Sequence, residues 1–321
     1  MTSTVVRALG ALAHGLVHPD PSASPARPCA CPAPDVLADR ADGTVVRCGP
    51  AVAKAHAPGT DAPGLAARLA LAADPRLAGV LLPPLSVRPT TRHGRLITLW
   101  PYGAPVDPDD PDAAPWEEAA VLLARLHRVR APRGLAPMRG PVKAARAVAR
   151  MRAARPGDPA TVPVDAAWRR LPDWARAEEP APPRRAVALC HGDLHLGQLV
   201  RHPAPDGRWL LIDIDDLGRG DPTWDLARPA AWYAAGLLPP EVWLRFLDTY
   251  RAEGGPAVPP DGDPWPELDT AARALTVQTA ALALAKSAEQ RRDPDEVERT
   301  MIDCCARIAA LPPELAPGRP S

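Results

Sequence analysis

The alternation of apolar and polar residues in the first third of the chain predicts a small sheet. Three short apolar segments, DVLAD, TVVRC and AVAKAH, are separated by RADG and GP, which favour tight turns. The segment GLAARLALAADPRL has helical spacing and ends near Asp74-Pro75, and two more strands flank a turn at His93-Gly94. We therefore expect residues 30–104 to form a five-stranded antiparallel sheet with one helix.

Helical periodicity dominates after PYGAP. PWEEAAVLLARLHRV is strongly amphipathic, with Pro115 near its first turn and glutamates at its positive end. LDTAARALTVQTAALALAKSAEQ and PDEVERTMIDCCARIAAL are also helical, whereas QLVRH and RWLLIDID flank a PAPDG turn and predict a hairpin. The pattern predicts an α+β protein with two lobes, a β-rich N-lobe at 30–104 and a mainly helical C-lobe at 105–317.

The N-terminus predicts an amphipathic helix followed by a linker. Val5, Leu9, Leu12 and Leu16 have helical spacing, and PSASPARPCACPAP after them has no periodicity. An early arginine before an apolar stretch is also typical of a signal peptide, but no clean cleavage site follows. Residues 1–29 are therefore interpreted as a helix and linker, and the protein is expected to be cytoplasmic.

Charge and cysteine content exclude several classes of partner. Lysine plus arginine and aspartate plus glutamate each number 38, so nothing favours nucleic acid or an anionic membrane as partner. No apolar run has membrane-spanning length. The six cysteines, which include Cys29 and Cys31, contain no CxxC pair, so reduced thiols are expected rather than a zinc site.

Two acidic segments carry the candidate chemistry, CHGDLHLGQ at 190–198 and LLIDIDDLGRGDPTWDLA at 210–227. On a strand, His191, Asp193 and His195 would share one face and could bind a metal ion, as in a metal hydrolase. In a loop, Asp193 would instead act as a general base, and the oxygens of Gln198 and Asp213 would suit Mg²⁺.

Lys54 supports the second alternative. It lies in the middle of the apolar strand AVAKAH, where a charged residue breaks the pattern and is expected to face a ligand. Phosphoryl transfer combines a base for the acceptor hydroxyl, a hard cation and a basic group on the phosphates. The sequence thus contains residue types for a kinase-like reaction.

HGDLHLGQLV followed by LLIDIDDLGRGDPTWDLA resembles the aminoglycoside phosphotransferase/choline kinase superfamily, which has the protein-kinase-like fold. Glutamine at 198, where most members carry asparagine, is similar to the maltokinase-like branch. The resemblance implies ATP and Mg²⁺ as cofactors. It further implies the following roles: Asp193 as catalytic base, Gln198 and Asp213 as metal ligands, Lys54 on the phosphates, Leu99, Trp100 and Tyr102 in the adenine-binding hinge, and Asp225 as an anchor of the catalytic loop. His195 either contacts the γ-phosphate or has only a packing role.

Two departures from the kinase pattern bear on nucleotide binding. The kinase lysine normally pairs with a glutamate on the small-lobe helix, yet DAPGLAARLALAADP has none, and Asp61 is the available substitute. A GxGxxG loop is also missing, with Gly43 and Gly49 flanking the second strand instead.

The function predicted is transfer of the ATP γ-phosphoryl group to a hydroxyl of a small molecule, by a monomer or homodimer. The acceptor classes left open are an aminoglycoside-like antibiotic, a sugar and an amino alcohol. The alternatives are a kinase acting on Ser/Thr of a biosynthetic peptide and a catalytically weak pseudokinase or scaffold. Only eleven residues separate Asp213 from Asp225, which favours a small acceptor over a docked peptide.

Charged segments bear on the acceptor in opposite ways. A carboxylate-lined pocket would suit cationic amines, and acidic residues gather near one loop at Glu253, Asp261, Asp263, Glu267 and Asp269. The segment 139–155 is instead basic, with Lys143, Arg146, Arg150, Arg152 and Arg155. It forms either a solvated helix face or a grip on an anionic acceptor.

Overall fold

The computed structural model describes residues 2–17, 33–40, 43–182 and 188–312. Cys29, Cys31 and most of the predicted N-terminal linker lie outside the described residues. The helices are α1 Thr2–Val17, α2 Ala62–Ala72, α3 Trp116–Arg128, α4 Gly140–Ala154, α5 Val162–Arg169, α6 Thr223–Ala234, α7 Pro240–Ala252, α8 Trp265–Gln290 and α9 Glu296–Ala310. The strands are β1 Asp35–Asp39, β2 Gly43–Cys48, β3 Ala51–His56, β4 Thr90–Arg92, β5 Arg95–Pro101, β6 Ala104–Pro105, β7 Ala188–Cys190, β8 Leu199–His202, β9 Arg208–Leu211 and β10 Gly218–Gly220.

Five antiparallel strands form the predicted small sheet, in the order β1-β2-β3-β5-β4. The turn between β4 and β5 uses His93 and Gly94, whose φ angles of 49° and 70° lie in the left-handed region. In β3, alternate residues face opposite sides, and Ala53 packs with Leu9 and Ala13 of α1 in one core cluster. Lys54 therefore lies on the face of β3 opposite that cluster.

The chain divides into two compact units. The first comprises residues 1–114 and 196–215, and it contains the five-stranded sheet and a second sheet in the order β6-β8-β9. The second comprises residues 115–195 and 216–321. The boundaries inferred from sequence, 1–29, 30–104 and 105–317, stay a prediction.

The second unit is mainly helical. Its longest helix is α8, with 26 residues, and α4, α5, α6 and α9 all contact it. Alanines, leucines and threonines are buried on several sides of α8, as expected for a helix surrounded by others. The short strands β7 and β10 pair antiparallel in the same unit. The predicted α+β class, with a five-stranded antiparallel sheet and a mainly helical C-terminal part, is confirmed.

None of the described helices combines the length and the apolarity that crossing a membrane requires.

Candidate active site

Lys54 lies between two carboxylates within the first unit. Its Nζ is 2.7 Å from Asp213 Oδ1 and 2.9 Å from Asp215 Oδ2, and 16% of its side chain is exposed. Burial opposes the charged form of Lys54, but the two carboxylates outweigh burial and raise its pKa. The lysine is therefore a fixed cation, and its contact with a ligand stays a prediction.

Gln198 and Asp213 come together through the β8–β9 hairpin. The Ile212 backbone N–H donates to Gln198 O at 2.9 Å, which aligns the residues at the two ends of the hairpin. The Gln198 amide nitrogen lies 3.4 Å from Asp213 Oδ2. Asp213 has a φ of 63°, a conformation that costs free energy for a residue other than glycine and is concentrated at functional sites.

These side chains fit a magnesium ion chemically. Asp213 and Asp215 supply carboxylate oxygens, and half a turn of the Gln198 amide presents its oxygen to the same place. Mg²⁺ prefers a small number of such oxygen ligands and completes its shell with water and substrate phosphates. The assignment of Gln198 and Asp213 as metal ligands remains a proposal.

Asp215 is a second carboxylate beside Lys54, and the sequence analysis did not place it among the site residues. One of its oxygens contacts Lys54, and the other lies 3.2 Å from His56 Nδ1. The opposite nitrogen of His56 pairs with Thr98 Oγ1 at 2.9 Å, and Trp100 Nε1 donates to the same hydroxyl. Burial would raise the pKa of Asp215, but His56 and Lys54 lower it well below its ordinary range.

The contacts of Asp61 differ from the suggested substitution for the kinase glutamate. Its side chain accepts a hydrogen bond from Gly64 N at 3.1 Å and caps the N-terminus of α2. The second carboxylate beside Lys54 comes from Asp215 instead. Two sequence signals could have indicated this: Asp215 follows Asp213 by two residues, and His56 follows Lys54 on the same face of β3.

The predicted hinge residues lie at the end of β5 and directly after it. Trp100 is buried, and Leu99 O accepts from Leu85 N at 2.8 Å. The Tyr102 N–H donates to Pro50 O at 2.7 Å, and its carbonyl accepts from His202 Nδ1 at 3.0 Å. The Arg47 guanidinium stacks 3.4 Å above the Tyr102 ring. Adenine binding by this segment stays a prediction.

The loop that carries Asp193 belongs to the second unit and is tied to Asp225. The backbone N–H groups of His191 and Gly192 donate to the two oxygens of Asp225 at 2.6 and 2.7 Å. His127 Nε2 lies 3.0 Å from the same carboxylate, and its Nδ1 lies 2.8 Å from Tyr250 Oη. Burial would raise the pKa of Asp225, but His127, the charge of His191 and the Gly192 N–H lower it. This geometry matches the anchoring role that the resemblance implied.

Asp193 itself is surrounded by basic groups. Lys143 Nζ lies 2.7 Å from Asp193 Oδ2, and Arg228 Nη2 lies 3.5 Å from Oδ1. Burial would raise the pKa of Asp193, but Lys143, Arg228 and His195 together lower it. The candidate base is therefore ionised at neutral pH. His195 acts on it by charge, and its contact with a γ-phosphate stays a prediction.

The alternative in which His191, Asp193 and His195 bind a metal ion finds no support in the described part of the chain. There, the set of three acidic, histidine or cysteine ligands close enough to share an ion is His127, Cys190 and Asp225. Burial raises the pKa of the Cys190 thiol well above its usual value, and the His127–Asp225 pair is used to anchor the loop. His191, Asp193 and His195 are not grouped in this way.

A family model provides the identification. The model of the phosphotransferase enzyme family matches residues 41–268, which include Lys54, Asp193, Gln198 and Asp213. The chain belongs to the phosphotransferase enzyme family. This membership confirms the enzyme class predicted from the sequence and the resemblance on which it rested. The maltokinase-like ending at Gln198 stays a prediction, and no curated protein matches this phosphotransferase in sequence.

Solved structures share the fold of this phosphotransferase. A choline/ethanolamine kinase family protein from Mesorhizobium loti has a TM-score of 0.53 and 18% identity, covering 97% of this chain and 96% of that chain. A thermostable mutant of aminoglycoside phosphotransferase APH(4)-Ia has a TM-score of 0.57 and 13% identity, covering 87% and 96%. Spectinomycin phosphotransferase APH(9)-Ia, in complex with ADP and spectinomycin, has a TM-score of 0.53 and 14% identity, covering 87% and 90%.

Proposed function

We propose that the protein transfers the γ-phosphoryl group of ATP to a hydroxyl of a small molecule in a magnesium-dependent reaction. The observation that carries this proposal is Lys54, a half-buried cation between Asp213 and Asp215 with the Gln198 amide beside Asp213. A fixed cation next to carboxylate and amide oxygens suits a nucleotide's phosphates and their metal ion.

Each residue has a defined part in the reaction. Lys54 neutralises phosphate oxygens, and Gln198 and Asp213 would hold Mg²⁺, which neutralises charge on the phosphates when bound. Leu99, Trp100 and Tyr102 take the adenine, and His195 contacts the γ-phosphate. These groups orient ATP and reduce the charge that the acceptor oxygen approaches.

Asp193 acts on the acceptor. Its ionised carboxylate orients the acceptor hydroxyl and accepts its proton while the hydroxyl oxygen bonds to the γ-phosphorus. The bond from that phosphorus to the β–γ bridging oxygen breaks, and ADP leaves with the electron pair. Asp225 holds the loop so that the Asp193 carboxylate stays in place, because it binds two consecutive backbone N–H groups.

Ligands of two proteins with the same fold support a nucleotide and a small acceptor. APH(9)-Ia was crystallised with ADP and spectinomycin, and a thermostable APH(4)-Ia mutant with AMP-PNP and hygromycin B. The short interval between Asp213 and Asp225 also favours a small acceptor over a peptide. A scaffold function is the second candidate, because α2 lacks the kinase glutamate.

The test measures ADP release and ATP binding separately. With Mg²⁺ and ATP, we expect turnover on at least one acceptor from a panel of hydroxylated antibiotics, sugars, acids, amino alcohols and Ser/Thr peptides. Asp193→Asn should lower kcat at least about a hundredfold while ATP still binds, since removing a general base costs 10²–10⁴-fold. Lys54→Met should weaken ATP binding instead.

Each outcome selects one candidate. Absence of ATP binding by the unaltered protein would reject the kinase function. ATP binding without turnover on any acceptor would favour the scaffold, and turnover on peptides alone would favour the peptide kinase. Lys286→Met is the matched control for Lys54→Met, because Lys286 is an exposed lysine on α8.

A further inference from the structure

Basic side chains surround the candidate base in the second unit. Lys143, on α4, bridges Asp193 Oδ2 at 2.7 Å and Asp216 Oδ2 at 2.8 Å. Arg139 Nε donates to the other oxygen of Asp216 at 2.6 Å. Arg228, on α6, reaches Asp193 at 3.5 Å and is fixed by the hydrogen bond from its Nε to Leu194 O at 2.9 Å. Three basic side chains thus accompany two carboxylates.

The cavity beside Asp193 also has more basic than acidic side chains in its lining. Lys143 and Arg228 line it together with one acid, Asp193, and the remaining walls are uncharged. These walls are formed by Gly140, Gly192, Leu194, Trp224, Leu275 and Gln278. The cavity measures about 20 Å³. The Lys143 stem is flexible and can turn its charge toward a ligand, whereas the Arg228 guanidinium is held beside Asp193.

The acidic residues that would suit a cationic acceptor lie elsewhere. Glu253 pairs with Arg125 at 3.4 Å, and Asp269 pairs with Arg273 at 2.7 Å. Asp263 caps the start of α8 by accepting from Trp265 N at 3.0 Å. None of these three is among the residues that line the cavity beside Asp193. The surroundings of the base therefore oppose an ammonium group and favour an anion.

We infer that the acceptor is a hydroxy acid, whose carboxylate binds Lys143 and Arg228 while its hydroxyl meets Asp193. This inference rests on the proposed phosphotransferase function and names its acceptor class. A carboxylate next to the hydroxyl would take the two basic groups as partners, and the guanidinium can bind it in a bidentate manner. An amino alcohol or aminoglycoside would instead bring its ammonium group against them.

The test uses two sets of acceptors, and within each set one hydroxyl-bearing group of the neutral compound is replaced by a carboxylate or by an amine. Glucuronate, glucose and glucosamine form one set, and glycerate, glycerol and 2-amino-1,3-propanediol form the other. With the full-length protein and Mg²⁺–ATP, we expect kcat/KM for the acid to exceed that for the neutral alcohol at least about tenfold in one set. The amine should be the poorest acceptor of that set.

The variant Lys143→Met tests whether Lys143 causes the preference for the acid. It should reduce the acid-to-neutral ratio of kcat/KM by about tenfold, through KM for the acid. The KM for ATP should change less than about twofold. A loss that merely disturbed Asp193 would lower kcat for all acceptors equally and leave the ratio unchanged. Arg146→Met is the matched control, because Arg146 is exposed on the same helix, and Arg228→Gln provides a second test of the same ratio.

The outcomes separate this inference from the function on which it rests. Turnover that favours amines, or an acid preference that survives both Lys143→Met and Arg228→Gln, would overturn the inference and leave the phosphotransferase function intact. If Lys143→Met raised only the KM for ATP, Lys143 would be a nucleotide-binding residue, and the inference of a hydroxy-acid acceptor would also be overturned. Failure of all acceptors of every charge, with no ATP binding, would reject the proposed function itself.

Discussion

Asp215 provides a second carboxylate beside Lys54, whereas α2 has no glutamate. Asp215 contacts Lys54 with one oxygen and His56 with the other, so the lysine has a second carboxylate partner besides Asp213. We predict that Asp215→Asn raises KM for ATP about tenfold. A hydrogen bond between charged groups contributes roughly 1.5–3 kcal/mol, and about 1.4 kcal/mol corresponds to tenfold. Steady-state kinetics at fixed acceptor concentration would measure the change.

A control variant separates this effect from a general loss of negative charge. Asp109→Asn removes an exposed carboxylate of the same unit, and ATP kinetics should stay as in the unaltered protein. His56→Asn should raise KM for ATP in the same direction as Asp215→Asn, because it removes the second partner of that carboxylate. An unchanged KM in both variants would show that Asp213 alone positions Lys54.

Asp193 also gives a prediction about pH. Its pKa is lowered below the ordinary aspartate value by Lys143, Arg228 and His195 against the opposing effect of burial. A base must be ionised, so kcat/KM should show no acid limb from this group above about pH 4, the ordinary aspartate value. Lys143→Met removes the group that lowers the pKa of Asp193 most strongly against burial. The pKa should therefore rise, and the acid limb should move to higher pH. A profile that keeps its position would mean that Lys143 does not act on Asp193.

At the scale of structural elements, the loop that carries Asp193 depends on the glycine next to that residue. Gly192 has a φ of 83°, and a Cβ there would lie 2.5 Å from Asp216 O. Gly157 also has a positive φ, 70°, but an added Cβ would meet nothing within 4 Å. We expect Gly157→Ala to cost about 1 kcal/mol of unfolding free energy. Gly192→Ala should cost about 2–4 kcal/mol, because the backbone contact adds to the strain. Denaturant unfolding of both variants measures the difference, and equal losses would contradict the close approach.

Local sequence patterns predict the helices and strands better than they predict the contacts between those elements. The strands β2, β3 and β5 follow from alternation and turn residues, and Lys54 attracts notice because it breaks the alternation in β3. The pairing of Lys143 with Asp193 joins residues 50 positions apart, on α4 and on a loop. Sequence spacing along α4 identifies basic residues but does not tell which of them turns toward a carboxylate. Arg146 and Lys143 look alike in the sequence and differ in their packing.

At the scale of the whole molecule, ligand binding should stabilise the fold in a metal-dependent way. A ligand at a hundredfold its Kd adds about 2.7 kcal/mol to the unfolding free energy, and for a chain of this length that raises Tm by roughly 4 °C. We expect this shift with ATP and Mg²⁺, and a smaller one when EDTA removes the metal, because Gln198 and Asp213 then lack the cation that joins them to the phosphates. Asp213→Asn should show the smaller shift with or without EDTA. Equal Tm shifts for the unaltered protein in both conditions would show that ATP binding does not need the metal, and Lys54 would then be the phosphate-binding group.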